Sequence, residues 1–378
     1  MDRIQNYICL SGPPAIRVAI LRDVPNVTVS VNGPFKIVEV PSERVVQSGS
    51  YLPATRISPS GSGFKIDSKT AGKRILRIIA AESGGVTLKE VQYRTERAKQ
   101  ISYRGEIELR SKGAKMDVLN VVDLETYLAG VLGSEAPLHW PDAALRAQAI
   151  ASRSYALYQI KTRKMYDYDV KATIGDQKYL GMKAELPRSR RLCDDTRGIV
   201  LFFDNHLFPT YFHSTCGGHT EQVDYLLESR SIQPLTGVAC PYCQESKYAK
   251  EWSVRLTADE IRAKLRKKGV RVGTVYAIEP YDTGAGGRHK MLKIRHSDGT
   301  TDMRAYRFRL AMVSMKLRNT NFRVTKLGNV FEFRGTGYGH GIGMCQFGAM
   351  GQAKLGRSAV DILEYYYPGA ELVRIYGP

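Results

Sequence analysis

The sequence predicts an α+β protein: a β-rich N-terminal module, then a mixed core carrying an inserted α+β subdomain. Three observations lead there. Residues 15–108 hold runs of β-branched side chains broken by turn signals. Residues 121–161 switch to helical spacing and are rich in alanine. From 252 onward, short strand patterns alternate with short helical ones. The expected domains are the β module at 1–115, a first core part at 116–251, the inserted subdomain at 252–328, and a completing segment at 329–378.

In the first module, Arg17–Leu21 and Val27–Val31 read as strands, and Asn32-Gly33 is a hairpin signal. Phe35–Val40 is therefore expected to pair with Val27–Val31. Gly61-Ser62-Gly63 marks a loop before Phe64–Ile66, and Ile75–Ile79 and Ile107–Leu109 extend the pattern. Nothing in this module carries chemistry by residue type.

Val121–Lys161 is the most informative stretch. Asp123 is a good N-cap for a helix carrying Leu124, Tyr127, Leu128 and Val131 on one face. Gly133 and Pro137 are expected to end it. Pro141 and Asp142 suit the start of a second helix, where the dipole favours a carboxylate. That places Glu135 in the break, among small and apolar neighbours. A carboxyl held against apolar surface has its pKa raised, which suits a general acid. By itself a Glu near a helix end reads as solvated surface. On the second helix Arg146, Ile150, Arg153 and Leu157 share a face, and Gln148 reads as a buried hydrogen-bonding residue. Ile174–Tyr179 reads as a polar surface rim.

The chain has 378 residues, 43% of them hydrophobic, and a net charge of +19. A core is affordable in composition, and the field attracts polyanions. No helix-turn-helix, recognition-helix zinc finger or RNP-like motif supports a specific nucleic-acid partner. No apolar run is long enough to span a membrane, and the first ten residues lack the apolar region of a secretory signal.

Six cysteines are too few for a disulfide scaffold at this length. Four of the late side chains form two pairs, Cys216 with His219 and Cys240 with Cys243. This spacing reads as a closed, structural Zn2+ site. His213 is an alternative to His219, and a Cys240–Cys243 disulfide or free buried thiols are the competing readings.

From 252, Thr257 caps a helix over 258–267, with acidic residues early and basic residues late. Strands are expected at Val270–Val272, Val275–Pro280 and Met291–Arg295, and a helix at Arg304–Leu310. Gly335, Gly337, Gly339, Gly341 and Gly343 alternate through the last motif, which holds His340 and Gln346. The spacing is neither a Walker loop nor a dinucleotide fingerprint. A closing helix is expected over 359–367.

Three motifs occur in order: Gly133-Ser134-Glu135-Ala136-Pro137, then His213-Ser214-Thr215-Cys216-Gly217-Gly218-His219, then Gly337-Tyr338-Gly339-His340-Gly341-Ile342-Gly343-Met344-Cys345-Gln346. Together they resemble the SpoIID/LytB family, from about residue 120 to the C-terminus. Ala136 departs from the family, which usually has Met there. The resemblance implies a SpoIID-like catalytic core outside the cytoplasm that acts on peptidoglycan glycan strands. It implies lytic cleavage of the β-1,4 bond between N-acetylmuramic acid and N-acetylglucosamine, with Glu135 as acid and base and a 1,6-anhydro product. Arg153 and His340 are the implied catalytic helpers; by residue type alone Arg153 reads equally as a structural ion-pair partner of a nearby carboxylate, and His340 as a buried structural histidine. Ser134, Ser214, Thr215, Gly339 and Gln346 are the implied substrate contacts. Glu221 and Asp224 are candidates for a second carboxylate. The alternative role is a non-catalytic, wall-binding enhancer of an N-acetylmuramoyl-L-alanine amidase, which adds a wall amidase as partner. Family members carry Ser at the Cys216 position in some cases, so the metal is not implied for the chemistry.

Overall fold

The computed structural model describes residues 5–6, 10–81, 84–93, 96–228 and 230–377. The first residues read for a secretory signal, Cys9 among them, fall largely outside these. The protein is a mixed α+β structure of two compact units. The first comprises residues 1–139, 148–200 and 373–378; the second comprises 140–147 and 201–372. Among the described residues no helix is long and apolar enough to cross a membrane.

The first unit contains two sheets. One has seven strands in the order 170–171, 15–24, 115–123, 106–112, 75–80, 35–39, 45–49. The other has six, in the order 96–103, 86–93, 27–31, 52–60, 63–66, 69–71. Val27, Val29 and Val31 are buried while Thr28 and Ser30 are half-exposed, the period-two pattern of a strand with one face on a core. Ile37, Leu76, Ile78 and Leu109 fill the interior of the seven-stranded sheet.

The Asn32-Gly33 hairpin does not form. Val27–Val31 pairs with Leu52–Ser60 and Val86–Tyr93, whereas Phe35–Glu39 pairs with Ile75–Ala80 and Val45–Gly49. The turn instead carries the chain from one sheet to the other. Gly33 still supplies the positive φ (134°) that the corner needs.

Three helices follow. Helix α1 (Leu124–Glu135) begins where expected, with the Asp123 carboxylate accepting from the Thr126 N–H at 3.0 Å. It does not end at Gly133. That glycine is a contact point rather than a stop: a Cβ there would lie 2.1 Å from the Ala184 carbonyl oxygen. Glu135 is therefore the last helical residue, not part of a break. Helix α2 spans Asp142–Thr162 and helix α3 spans Pro187–Asp195.

The second unit holds two three-stranded antiparallel sheets. One runs in the order 252–257, 330–335, 322–327, and the other 275–283, 289–296, 299–304. Helices α4 (Ala258–Lys267) and α5 (Ala305–Met312) share one core with these sheets, built on Ile261, Leu265, Ile294, Phe308, Phe331 and Phe333. Thr257 and Glu260 form a capping box on α4, as the local sequence dictates. Residues 270–272 run between α4 and the next strand without becoming a strand. Helices α6 (Gln346–Lys354) and α7 (Ala359–Tyr366) complete the unit.

Candidate functional site

The first unit presents Glu135 at the C-terminal end of α1. Two glycines seat this helix closely on the segment that follows α2. A Cβ at Gly130 would meet the Tyr179 ring at 2.7 Å, and Gly133 lies against Ala184. Tyr127 stacks beside Tyr179 with ring centroids 4.9 Å apart. The Tyr127 hydroxyl donates to Gln177 Oε1 at 3.0 Å, and the Tyr179 hydroxyl donates to Asn120 Oδ1 at 2.9 Å. Residues 177 and 179 are thus buried supports of the helix rather than a surface rim, although Ile174 is exposed.

This support reaches the carboxyl. The Lys178 backbone N–H donates to Glu135 Oε1 at 2.5 Å. The loop carrying that amide is pinned by Asp176, whose side chain is almost wholly buried. Asp176 accepts from the Tyr155 hydroxyl at 2.8 Å, from Arg163 at 2.7 Å and from the Lys171 N–H at 3.0 Å. Glu135 itself is half-buried. A half-buried carboxyl held by a fixed backbone amide is oriented for proton transfer while still reachable. Asp176 and the Lys178 amide escaped the sequence reading, because backbone donors leave no residue-type signal.

Arg153 is not part of this site. Its guanidinium is completely buried and forms a fork with Glu125, Nε to Oε1 and Nη2 to Oε2, both at 2.8 Å. It also donates to the carbonyls of Cys193 and Ile199, each at 3.1 Å, and from both Nη atoms to the Thr196 hydroxyl at 3.4 Å. The Tyr376 hydroxyl adds a 2.6 Å bond to Glu125. Despite burial, these partners hold the Glu125 carboxyl below its ordinary pKa. Arg153 is a structural cation, with no room for substrate. Gln148 is buried and donates to the Ser152 hydroxyl at 3.0 Å, as expected. The Ser134 hydroxyl turns back to donate to the Gly130 carbonyl at 2.7 Å, a bond within the helix.

In the second unit the two later motifs come together. Phe212–His213 pairs in parallel with Met344–Cys345, and Thr215 and Tyr338 exchange both backbone hydrogen bonds. Thr215 is fully buried, its hydroxyl 2.7 Å from that of Ser246, so it is a strut rather than a substrate contact. Gln346 is also buried, at the start of α6. Ser214 and Gly339 are half-buried. Gly339 cannot carry a side chain, since a Cβ would meet that of His213 at 2.8 Å.

His340 is a neutral strut as well. Its Nδ1 accepts from the Ile342 N–H at 3.0 Å, and the ring also bonds the Phe212 backbone. Burial, with Arg309 and Arg288 nearby, pushes its pKa down to about 3. A ring committed at both nitrogens and uncharged near neutrality is not a proton donor to substrate. Its neighbour His213, 5.4 Å away between ring centroids, is bonded to the Ile342 carbonyl and shifted well down by burial. Glu221 is buried as well, and it accepts from the Gly286 and Gln222 amides at 3.0 and 3.3 Å. The Asp224 Oδ1 is buried without a hydrogen-bond partner.

The predicted metal pairs assemble with one change. The sulfurs of Cys216, Cys240, Cys243 and Cys345 all lie within 4.8 Å of one another, and all four residues are fully buried. His219 is not in this group; its ring bonds the Thr220 carbonyl instead. His213 is not in it either. Cys345 replaces them because the parallel pairing of 212–213 with 344–345 brings it alongside. None of the four cysteines is in a disulfide.

A half-buried carboxyl at a helix end, held by a fixed amide in a mixed α+β unit, defines a candidate acid–base protein. The comparisons with known proteins make this particular. Residues 112–203 match the family of the stage II sporulation protein (SpoIID), and residues 234–343 match a domain of unknown function, DUF8618. An uncharacterized protein of Brachyspira hyodysenteriae is 29% identical over 347 residues, covering 92% of this chain and 89% of that protein. Stage II sporulation protein D of Bacillus subtilis is 28% identical over 266 residues, covering 66% of this chain and 74% of that protein. An amidase enhancer of Bacillus subtilis is 26% identical over 288 residues, covering 65% of this chain but 40% of that protein. These matches support the likeness to the SpoIID/LytB family, and the matched family domain, residues 112–203, holds Glu135.

Proposed function

We propose that the chain is an extracytoplasmic lytic transglycosylase of peptidoglycan, with Glu135 as its acid and base. The observation that carries this reading is the placement of Glu135. It is half-buried at the end of α1, inside the family domain, with its carboxyl fixed by the Lys178 amide. The substrate is the β-1,4 bond between N-acetylmuramic acid and N-acetylglucosamine.

The protonated carboxyl of Glu135 gives its proton to the glycosidic oxygen as the bond to the muramic acid C1 breaks. The resulting carboxylate then takes the proton of the same sugar's C6 hydroxyl while that oxygen bonds to C1. The proton returns to Glu135 and the product is a 1,6-anhydro sugar; no water is consumed. A single carboxylate suffices, where ordinary glycoside hydrolysis uses two. Arg153 and His340 are assigned structural work, which leaves the acid–base role to Glu135. The net charge of +19 favours an anionic polymer.

Mass spectrometry of products from purified glycan strands, with and without stem peptides, tests the reading. Anhydro-terminated products are expected from the wild type, with kcat lowered about 10²–10⁴-fold by Glu135→Gln. Reducing-end products would mean hydrolysis and a second carboxylate. The likeness to an amidase enhancer favours one other reading, a non-catalytic partner of a wall amidase. Absence of any product, together with faster cleavage by an added N-acetylmuramoyl-L-alanine amidase, would establish it.

A further inference from the structure

We propose that Cys216, Cys240, Cys243 and Cys345 form a four-thiolate site for a single Zn2+ ion that clamps three segments of the second unit. The juxtaposition is the first ground. The ligands come from the turn after Phe212–His213, from the Cys240-Pro241-Tyr242-Cys243 loop, and from the residue capping α6. Their sulfurs sit within 4.8 Å of one another, and the Cys216 and Cys243 sulfurs are 3.5 Å apart. Four ligands at a Zn–S distance of about 2.3 Å in a tetrahedron stand about 3.8 Å from each other. That spacing is far beyond a disulfide bond, which is about 2.05 Å. It is also tight for an iron–sulfur cluster, whose thiolates bind different irons around a core of inorganic sulfide.

The second ground is what points at the sulfurs. The Cys216 N–H donates to the Cys345 sulfur at 3.2 Å, and the Gly348 N–H donates to the same atom at 3.3 Å. The Gly218 N–H donates to the Cys216 sulfur at 3.4 Å, and the Gly217 amide bonds that of Cys243. The Tyr366 hydroxyl lies 3.0 Å from the Cys240 sulfur. Cys345 is also the N-cap of α6, where the helix dipole favours negative charge. Such donors match thiolates, the form that binds a metal. Four thiolates without a cation would repel one another in a site sealed from water.

The surroundings are built for this charge and size. A Cβ at Gly348 would lie 2.6 Å from the Cys240 sulfur, so only glycine lets α6 approach this closely. Zinc with four thiolates carries a net charge of two minus. The fully buried Arg288 guanidinium lies beside it, donating to the Cys216 carbonyl at 2.6 Å and the His219 carbonyl at 3.0 Å. With four protein ligands no position remains for water, so the ion is structural. It ties the excursion between Thr220 and Val238, already closed by the Thr220 N–H to the Val238 carbonyl and by the Val238 N–H to the Thr220 hydroxyl, to the strand pair that carries His213.

This inference does not depend on the glycan reading, because its test reads the metal. The full chain, purified without chelator, is analysed by inductively coupled plasma mass spectrometry and zinc-edge X-ray absorption. One zinc per chain with a four-sulfur shell is expected, and no variant is needed to see it. His219→Ala is expected to keep both the stoichiometry and the shell. Cys345→Ser is expected to lower occupancy to a small fraction of one under competition with a chromogenic chelator. A three-sulfur, one-nitrogen shell, or loss of zinc in His219→Ala, would overturn the ligand set. Iron in place of zinc would overturn the ion. A metal-free chain with these cysteines oxidised to disulfides would overturn the site.

Discussion

Among the described residues two arginines are completely buried, and the protein treats them oppositely. Arg153, in the first unit, meets a carboxylate in a two-bond fork, and its charge is cancelled on the spot by Glu125. Arg288, in the second unit, has no such fork. Two backbone carbonyls take its Nη atoms, its Nε has no hydrogen-bond partner, and Glu221 is the carboxylate nearby. Burial therefore pulls the Arg288 guanidinium below its usual pKa, while Arg153 is held above it by Glu125. A fully buried cation is tolerated only with a counter-charge. In the first unit that counter-charge is a residue. In the second, the four-thiolate zinc centre proposed above would supply much of it.

Breaking one partner of the first pair gives the largest expected effect. Arg153→Met leaves Glu125 buried and unpaired, which costs about 3–5 kcal/mol. Urea denaturation should show this as a lowered midpoint. The double variant Arg153→Met with Glu125→Leu should recover much of the loss, because the uncompensated charge is gone. A double variant as unstable as the single one would mean that the fork does more than neutralise charge. Neither variant is expected to change zinc content.

Arg288→Met sharpens the contrast. It strands the carbonyls of Cys216 and His219, worth about 1–3 kcal/mol for a buried group left unsatisfied. It also removes the positive charge beside the thiolates, so zinc affinity should fall as stability does. Competition with a chelator, read beside the same measurement on Arg153→Met, checks this. Equal zinc affinity in both variants would show that Arg288 does not serve the metal.

The difference between the units also explains what the sequence made legible. Helix caps were readable because they are local: Asp123, the Thr257–Glu260 box and the helix that Ser358 begins all follow from neighbours within a turn. The Cys-x-x-Cys pair was readable for the same reason, whereas Glu135 stood out only through the resemblance carried by three motifs taken together. Partners set by the fold were not. Arg153 was given a catalytic role by the resemblance alone, and its structural partner could not be named because Glu125 belongs to the preceding helix, 28 residues away. Cys345 was missed because strand pairing over 129 residues brings it to Cys216. His219 was chosen by spacing alone, and spacing does not say which way a ring turns. Asn32-Gly33 promised a hairpin, since two-residue signals cannot tell a return within one sheet from a crossing to another.

Acid separates the two kinds of burial by a smaller effect. Both Glu125 and His340 have folded-state pKa values below their unfolded ones, so in each case the unfolded state binds protons first and stability falls with pH. The windows differ. The contribution of Glu125 is present above its unfolded value, about 4.3, and is lost only as pH falls further through its lowered folded value. That of the neutral His340 is complete above about 6.5 and is lost progressively as pH falls towards about 3, its folded value. Between pH 6.5 and 4.5, then, the slope of stability should report the histidines that burial keeps neutral, His340 together with His213 and His289, and not the Arg153–Glu125 pair. Denaturation midpoints across this range are expected to slope less in His340→Asn, whose side-chain oxygen can still accept from the Ile342 amide, than in the wild type. Arg153→Met with Glu125→Leu should keep the wild-type slope there. An unchanged slope in His340→Asn would mean that the ring is charged in the folded protein, and would return it to the list of proton donors.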